Sequence, residues 1–185
     1  GIMDNAAYSK SGGLSAWVML DAPDGHPQQV AASAGAAWAS GAFAPEGTSL
    51  FSDEEGQACA YVGAGEDLPG SQQSFGSIPA VLSDQAWHHI AVRWDGVERE
   101  LSVDCDVSRG LNGLAPTTYA IEALAIGGAV DDTELWLGAV DEVRVSASAV
   151  PASWFRVEHA SVAGLVGTSG RPFVHGLRPD LVVQT

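Results

Sequence analysis

The 185-residue chain is expected to be all-β, with two antiparallel sheets packed face to face. Three observations lead there. Residues 88–94 alternate, with His88, Ile90, Val92 and Trp94 on one side and His89, Ala91 and Arg93 on the other, which is the period of a sheet. Residues 14–20 alternate as well, but both sides are largely apolar, as in a central strand covered on both faces. Finally, 22 glycines and 9 prolines interrupt the apolar runs and leave many short segments joined by turns.

In the first strand, Leu14, Ala16, Val18 and Leu20 share one face and Ser15, Trp17 and Met19 the other, one of the two covered by the opposite sheet and the other by loops. The run DAPDGHP at 21–27 is turn chemistry throughout. Short strands are expected at about 28–33, 48–52 and 57–63. The stretch 64–79 reads as the longest loop, the kind of segment that often carries function. Residues 87–104 form a hairpin: Asp95-Gly96 supplies the turn, and the return strand has Leu101 and Val103 on its apolar side and Glu100, Ser102 and Asp104 on the other. A polar loop at 107–118, a strand at 119–127 and an acidic turn at 129–134 lead into a last strong strand ending near Val145. A short helical signal follows at 146–160, with Pro151 acceptable at its first position and Val150, Trp154 and Val157 on one apolar face. Residues 161–185 read as an extended tail or linker with one further strand at 181–183, so the domain is placed at 1–160. There is no internal repeat.

Several of these segments together resemble the LamG-like jelly rolls of the laminin-G and concanavalin A-like lectin family. The resemblance rests on WHHIAVRWDG at 87–96, LSVDCD at 101–106, ALAIGG at 123–128 and GAVDEVRV at 138–145, with GLSAWVML at 13–20 in the place of the first core strand. It covers roughly residues 13–158 and implies a two-sheet antiparallel jelly roll closed by a short C-terminal helical turn. Cys105 departs from the pattern, standing where the family often has glycine. Trp17, Trp87, Trp94 and Trp154 coincide with motif positions and are expected in the core. The resemblance also implies an extracellular, periplasmic or cell-surface location.

A net charge of −15 would repel nucleic acid and anionic membranes over a Debye length of about 8–10 Å, so neutral or cationic partners fit better. No apolar run is long enough to span a bilayer by a helix. The opening GIMDNAAYSK has neither the basic nor the apolar region of a secretory signal, and its abruptness suggests a piece of a larger multidomain chain. Cys59 and Cys105 permit a single disulfide, which needs Cα atoms within about 7 Å; a bridge and two free thiols both remain open.

Catalytic patterns are lacking. Asp141 and Glu142 are adjacent and so point to opposite faces, unlike the alternately spaced acids of a sandwich glycosidase. No G-x-S-x-G turn occurs, and His88 and His89 project oppositely and cannot share a metal. The resemblance implies that His88 points inward with Ile90 and Val92, donating to a carbonyl or carboxylate. Asp141 shares the alternation of Leu137, Ala139, Val143 and Val145 and is expected inward too, where its charge must be paired or bound. Hydrogen bonding there and calcium coordination both remain open, since several LamG-like domains hold calcium and Asp4, Asn5 and Asp21 offer further oxygens toward the roughly six to eight required. For glycan binding the candidate aromatics are Trp38, Phe75, Tyr119 and Trp136, the last facing away from Leu135 and Leu137. The expected function is a non-catalytic recognition or adhesion module that binds glycan or a cell-surface protein through rim loops. A structural spacer with no ligand of its own is the alternative, and a glycan-active enzyme a distant one.

Overall fold

The computed structural model describes residues 11–33, 38–39, 42–43, 46–64, 74–79, 82–95, 98–105, 107–110, 124–128, 134–148 and 150–166. The strands are β1 (Gly12–Leu20), β2 (Gln28–Ser33), β3 (Trp38–Ala39), β4 (Ala42–Phe43), β5 (Glu46–Ser52), β6 (Ala58–Ala64), β7 (Ser74–Ile78), β8 (His88–Trp94), β9 (Arg99–Val103), β10 (Val107–Gly110), β11 (Leu124–Ile126) and β12 (Gly138–Ser146), followed by helix α1 (Ala152–Val166). Among the described residues, two five-stranded sheets, ordered β10-β9-β8-β1-β12 and β11-β2-β5-β6-β7, form the antiparallel jelly-roll sandwich, and β3 and β4 make a separate ribbon. Within the expected loops, β7 lies in 64–79 and β10 in 107–118; neither segment has the apolar alternation that marks the central strands. The helix continues to Val166, past the expected domain end at 160. It is not long and apolar enough to cross a membrane.

The core follows from the alternation. Leu14, Ala16, Val18 and Leu20 of β1 meet Ile90, Val92 and Trp94 of β8, Leu101 and Val103 of β9, and Leu50, Ala60 and Val62 of the opposite sheet. Gly12 is required beneath Trp94, because a Cβ there would collide with the indole ring. The other face of β1 is buried too. Ser15 and Trp17 lie beneath α1 where loops were expected, and a helix seals a sheet face more completely because its own backbone groups are already bonded.

One irregularity decides which side chains reach the site. Trp17 pairs with Asp141 and Ser15 with Arg144, so two residues of β12, Glu142 and Val143, stand opposite the single Ala16. This is a β-bulge, with Glu142 at φ 50°. The extra residue shifts the alternation by one, so Val140, Val143 and Val145 all pack against the core although they do not share one parity. Asp141 therefore points outward and is exposed, contrary to the inward orientation expected from an unbroken strand.

Candidate functional site

The outer face of the β1-containing sheet and the helix docked on it form the most elaborate polar arrangement among the described residues. From β1 come Ser15 and Trp17, from β8 His89, and from β12 Arg144 and Ser146, which the bulge brings to this face. Helix α1 presents Phe155, Glu158 and His159, at spacings of three and four that place them on one side. The face expected from Val150, Trp154 and Val157 is not the buried one: Trp154 is 49% exposed and Val157 is exposed as well. Glu158, not an apolar residue, completes the docking stripe, so a search for apolar periodicity selects the wrong side of the helix.

Glu158 is 5% exposed and organises the face. Its Oε2 accepts from Ser15 Oγ at 2.9 Å and lies 3.5 Å from His89 Nε2. Its Oε1 accepts from Trp154 Nε1 at 2.7 Å and lies 3.4 Å from Arg144 Nη1. Burial alone would raise its pKa, but hydrogen bonds from His89, Ser15 and Trp154 and the Arg144 charge outweigh that and lower it to about 2. Glu158 is thus a permanent buried anion with its donors in place. Around it Trp17 stacks on His159, with ring centroids 5.4 Å apart, and tilts against His89 at 5.5 Å.

Beside Glu158, a cleft of about 410 Å³ opens between β12 and the helix. Its walls include Ser15, Arg144, Ser146, Val150, Trp154 and Glu158. Trp154 stands at this cleft with half its surface exposed and its indole N–H fixed, so its ring is pre-positioned. Arg144 is partly exposed and reaches back to Glu142, Nη2 to Oε2 at 2.8 Å. The set combines an aromatic platform, hydroxyls and a guanidinium, which suits binding of a polyhydroxylated ligand.

A second cluster lies at the start of β8. His88 Nδ1 is 2.7 Å from Asp104 Oδ2, and its Nε2 is 2.9 Å from Asp84 Oδ1. The Asp104 hydrogen bond is the main cause that raises the His88 pKa to about 9; burial opposes it and Asp84 adds to it. With both ring nitrogens on carboxylates, His88 has no lone pair to offer a proton or a metal, and the cluster is a structural pin. The inward, carboxylate-bonded His88 matches the sequence reading.

The other expected site residues are scattered. Trp136 is 8% exposed and belongs to the core, its Nε1 donating to the carbonyls of Met19 and Ala139, so it is no exposed platform. Leu135 and Leu137 are the exposed ones, because the ladder begins only at Gly138 and Trp136 is held outside it, its backbone N–H donating to Gly127 O. Trp87 and Trp154 are exposed too, whereas Trp17 and Trp94 are buried as expected. Trp38 lies in β3, and Phe75 lies in β7 opposite Tyr61. Their side chains, and Tyr119, Asp4 and Asn5 altogether, lie outside the described residues.

Asp21 and Asp141 are both exposed. Asp141 pairs with Trp17, four residues before Asp21, which separates the two carboxylates by about 13 Å along the strand, too far to share one ion. No group of three or more His, Cys, Asp or Glu suited to a metal occurs among the described residues. Cys59 lies in β6 and Cys105 in the turn after β9, and no disulfide joins them in the structure. Cys105 adopts φ 60°, the left-handed conformation that favours glycine, so the turn keeps a glycine-type backbone although the residue departs from the pattern.

The two-sheet jelly roll is a lectin-like sandwich. The profile of the concanavalin A-like lectin/glucanases superfamily matches residues 3–154, and the chain belongs to that family. No protein of curated function matches it in sequence. Among solved structures, it is similar to the Ruminococcus gnavus IT-sialidase CBM40 bound to alpha2,3 sialyllactose, with a TM-score of 0.61 and 9% identity over 81% of this chain and 83% of that one. The binding domain of botulinum neurotoxin DC, in complex with rat synaptotagmin II, gives 0.61 and 7% identity over 84% of this chain and 36% of that one. Mouse laminin alpha1 domains LG4-5 give 0.53 and 17% over 78% and 37%. The chain thus spans little more than a third of the last two. At these identities the likeness is one of fold. The first is bound to a glycan and the second is a binding domain in complex with a protein.

Proposed function

We propose that this chain is a non-catalytic recognition module that binds glycan in the cleft between β12 and α1, within a larger secreted or surface-anchored protein. One observation carries the reading: Trp154 is half exposed, yet its indole is fixed by a 2.7 Å hydrogen bond to a buried carboxylate at the edge of the cleft. A fixed ring offers the apolar C–H face of a sugar a ready surface at little cost in side-chain entropy, while Ser15, Ser146 and Arg144 supply hydroxyl and guanidinium partners for its rim. The neighbours support the class. One is bound to sialyllactose and another to synaptotagmin, so glycan and protein partners both occur on this fold.

Catalysis has little to draw on here. Glu158 is held as an ionised acceptor by its donors, which suits a structural anchor better than a general acid. The test is a glycan array with the wild-type chain and Trp154→Ala. Binding that is lost in a variant with unchanged thermal unfolding supports the reading. A silent array with the folded wild type overturns it in favour of a spacer domain.

A further inference from the structure

The charges around the cleft carry a consequence for which glycans fit. Arg144 is the single cationic side chain lining it among the described residues, and two carboxylates already engage it: Glu142 at 2.8 Å on the solvent side and Glu158 at 3.4 Å on the buried side. Glu158 stays ionised, so these three groups sum to one negative charge. Glu142 is also the bulge residue. Its φ of 50° is a conformation that a glutamate adopts only at a cost, and bulges of this kind serve to re-aim side chains. Here the distortion sets Arg144 on the cleft side of the sheet and leaves Glu142 within reach of its guanidinium.

We infer, resting on the glycan reading above, that the cleft selects neutral saccharides and rejects carboxylated or sulfated ones, with Glu142 as the specificity-determining residue. An acidic sugar has to displace Glu142 from Arg144 and then face the displaced carboxylate and Glu158. An exposed ion pair such as Arg144–Glu142 is weak, so the displacement itself costs little. The discrimination comes from the residual like charge, which at several ångströms in a partly solvated cleft weakens binding about tenfold. Selectivity here thus works by repulsion as well as by fit.

The test pairs neutral oligosaccharides with counterparts that carry one added carboxylate or sulfate, titrated into wild type and Glu142→Gln at low and moderate salt. Glu142→Gln keeps side-chain length and leaves Arg144 with one carboxylate partner fewer. The expected result is that wild type prefers each neutral member about tenfold, that added salt narrows the gap, and that Glu142→Gln closes it by strengthening the acidic member alone. Equal or tighter binding of the acidic members by wild type overturns the inference while leaving the glycan reading intact. An unchanged gap in Glu142→Gln also overturns it. Failure to bind either member overturns the glycan reading itself, and this inference with it.

Discussion

His88 is held between Asp104 and Asp84, with its two ring nitrogens 2.7 Å and 2.9 Å from their carboxylates, so one imidazolium ties the start of β8 to the end of β9 and to the preceding turn. Asp104 Oδ1 also accepts from the backbone N–H of His89 at 2.8 Å. Hydrogen bonding to His88 also lowers the Asp84 pKa, so both carboxylates remain charged near neutrality.

The sign of the pH dependence follows. The His88 pKa rises from 6.5 unfolded to about 9 folded, so its contribution is complete below 6.5 and declines until it is lost as pH passes about 9. Because Asp84 is exposed, that contribution is discounted to about 2 kcal/mol. Chemical denaturation of wild type and His88→Ala across pH 6 to about pH 10 should show the two converging at the alkaline end.

Glu158 has the opposite dependence. Its pKa falls from 4.5 to about 2, so its stabilisation is present above 4.5 and is lost as pH falls through about 2. Glu158→Ala leaves the Ser15, His89, Trp154 and Arg144 donors without their shared acceptor and should cost about 3 kcal/mol. Amide exchange across α1 should accelerate more than exchange in β5 and β6.

The bulge yields two contrasting variants. Glu142→Gly removes the left-handed penalty and should raise stability by about 0.5 kcal/mol, since the exposed Arg144 pair contributes little. Deleting Glu142 merges the two halves of β12 into one alternation and turns Val140, or Val143 and Val145, to solvent, at a cost of about 2 kcal/mol or more. Denaturant midpoints of the two variants check both.

The thiols should differ in reactivity. Burial pushes the Cys59 pKa up and closes off access, whereas Cys105 is partly exposed in its turn. A thiol reagent should modify Cys105 in the native protein and Cys59 only on unfolding, with no mass change on reduction.

Much of the sandwich was legible because β1, β8 and β9 keep strict alternation around Leu14, Ile90 and Leu101, and burial depends on that period alone. The site was less legible, for two physical reasons. The bulge has no glycine to announce it, so simple alternation along β12 turns Asp141 inward, and only the pairing with β1 reveals the extra residue. The docking stripe of α1 is centred on an acid whose burial depends on donors from three other places: Ser15, His89 and Arg144. Only tertiary structure brings those donors together, while Trp154 and Val157 offered a more apolar but outward face.

The most direct measurement is an NMR titration of the wild-type chain with a neutral oligosaccharide bound on the array, observing the Trp154 indole N–H. The expected result is a saturable shift of that resonance together with the amides of Ser15, Arg144 and Ser146. A ligand that saturates while those signals stay fixed, and moves resonances of the opposite sheet around Phe51 and Tyr61 instead, would contradict the assignment of the cleft.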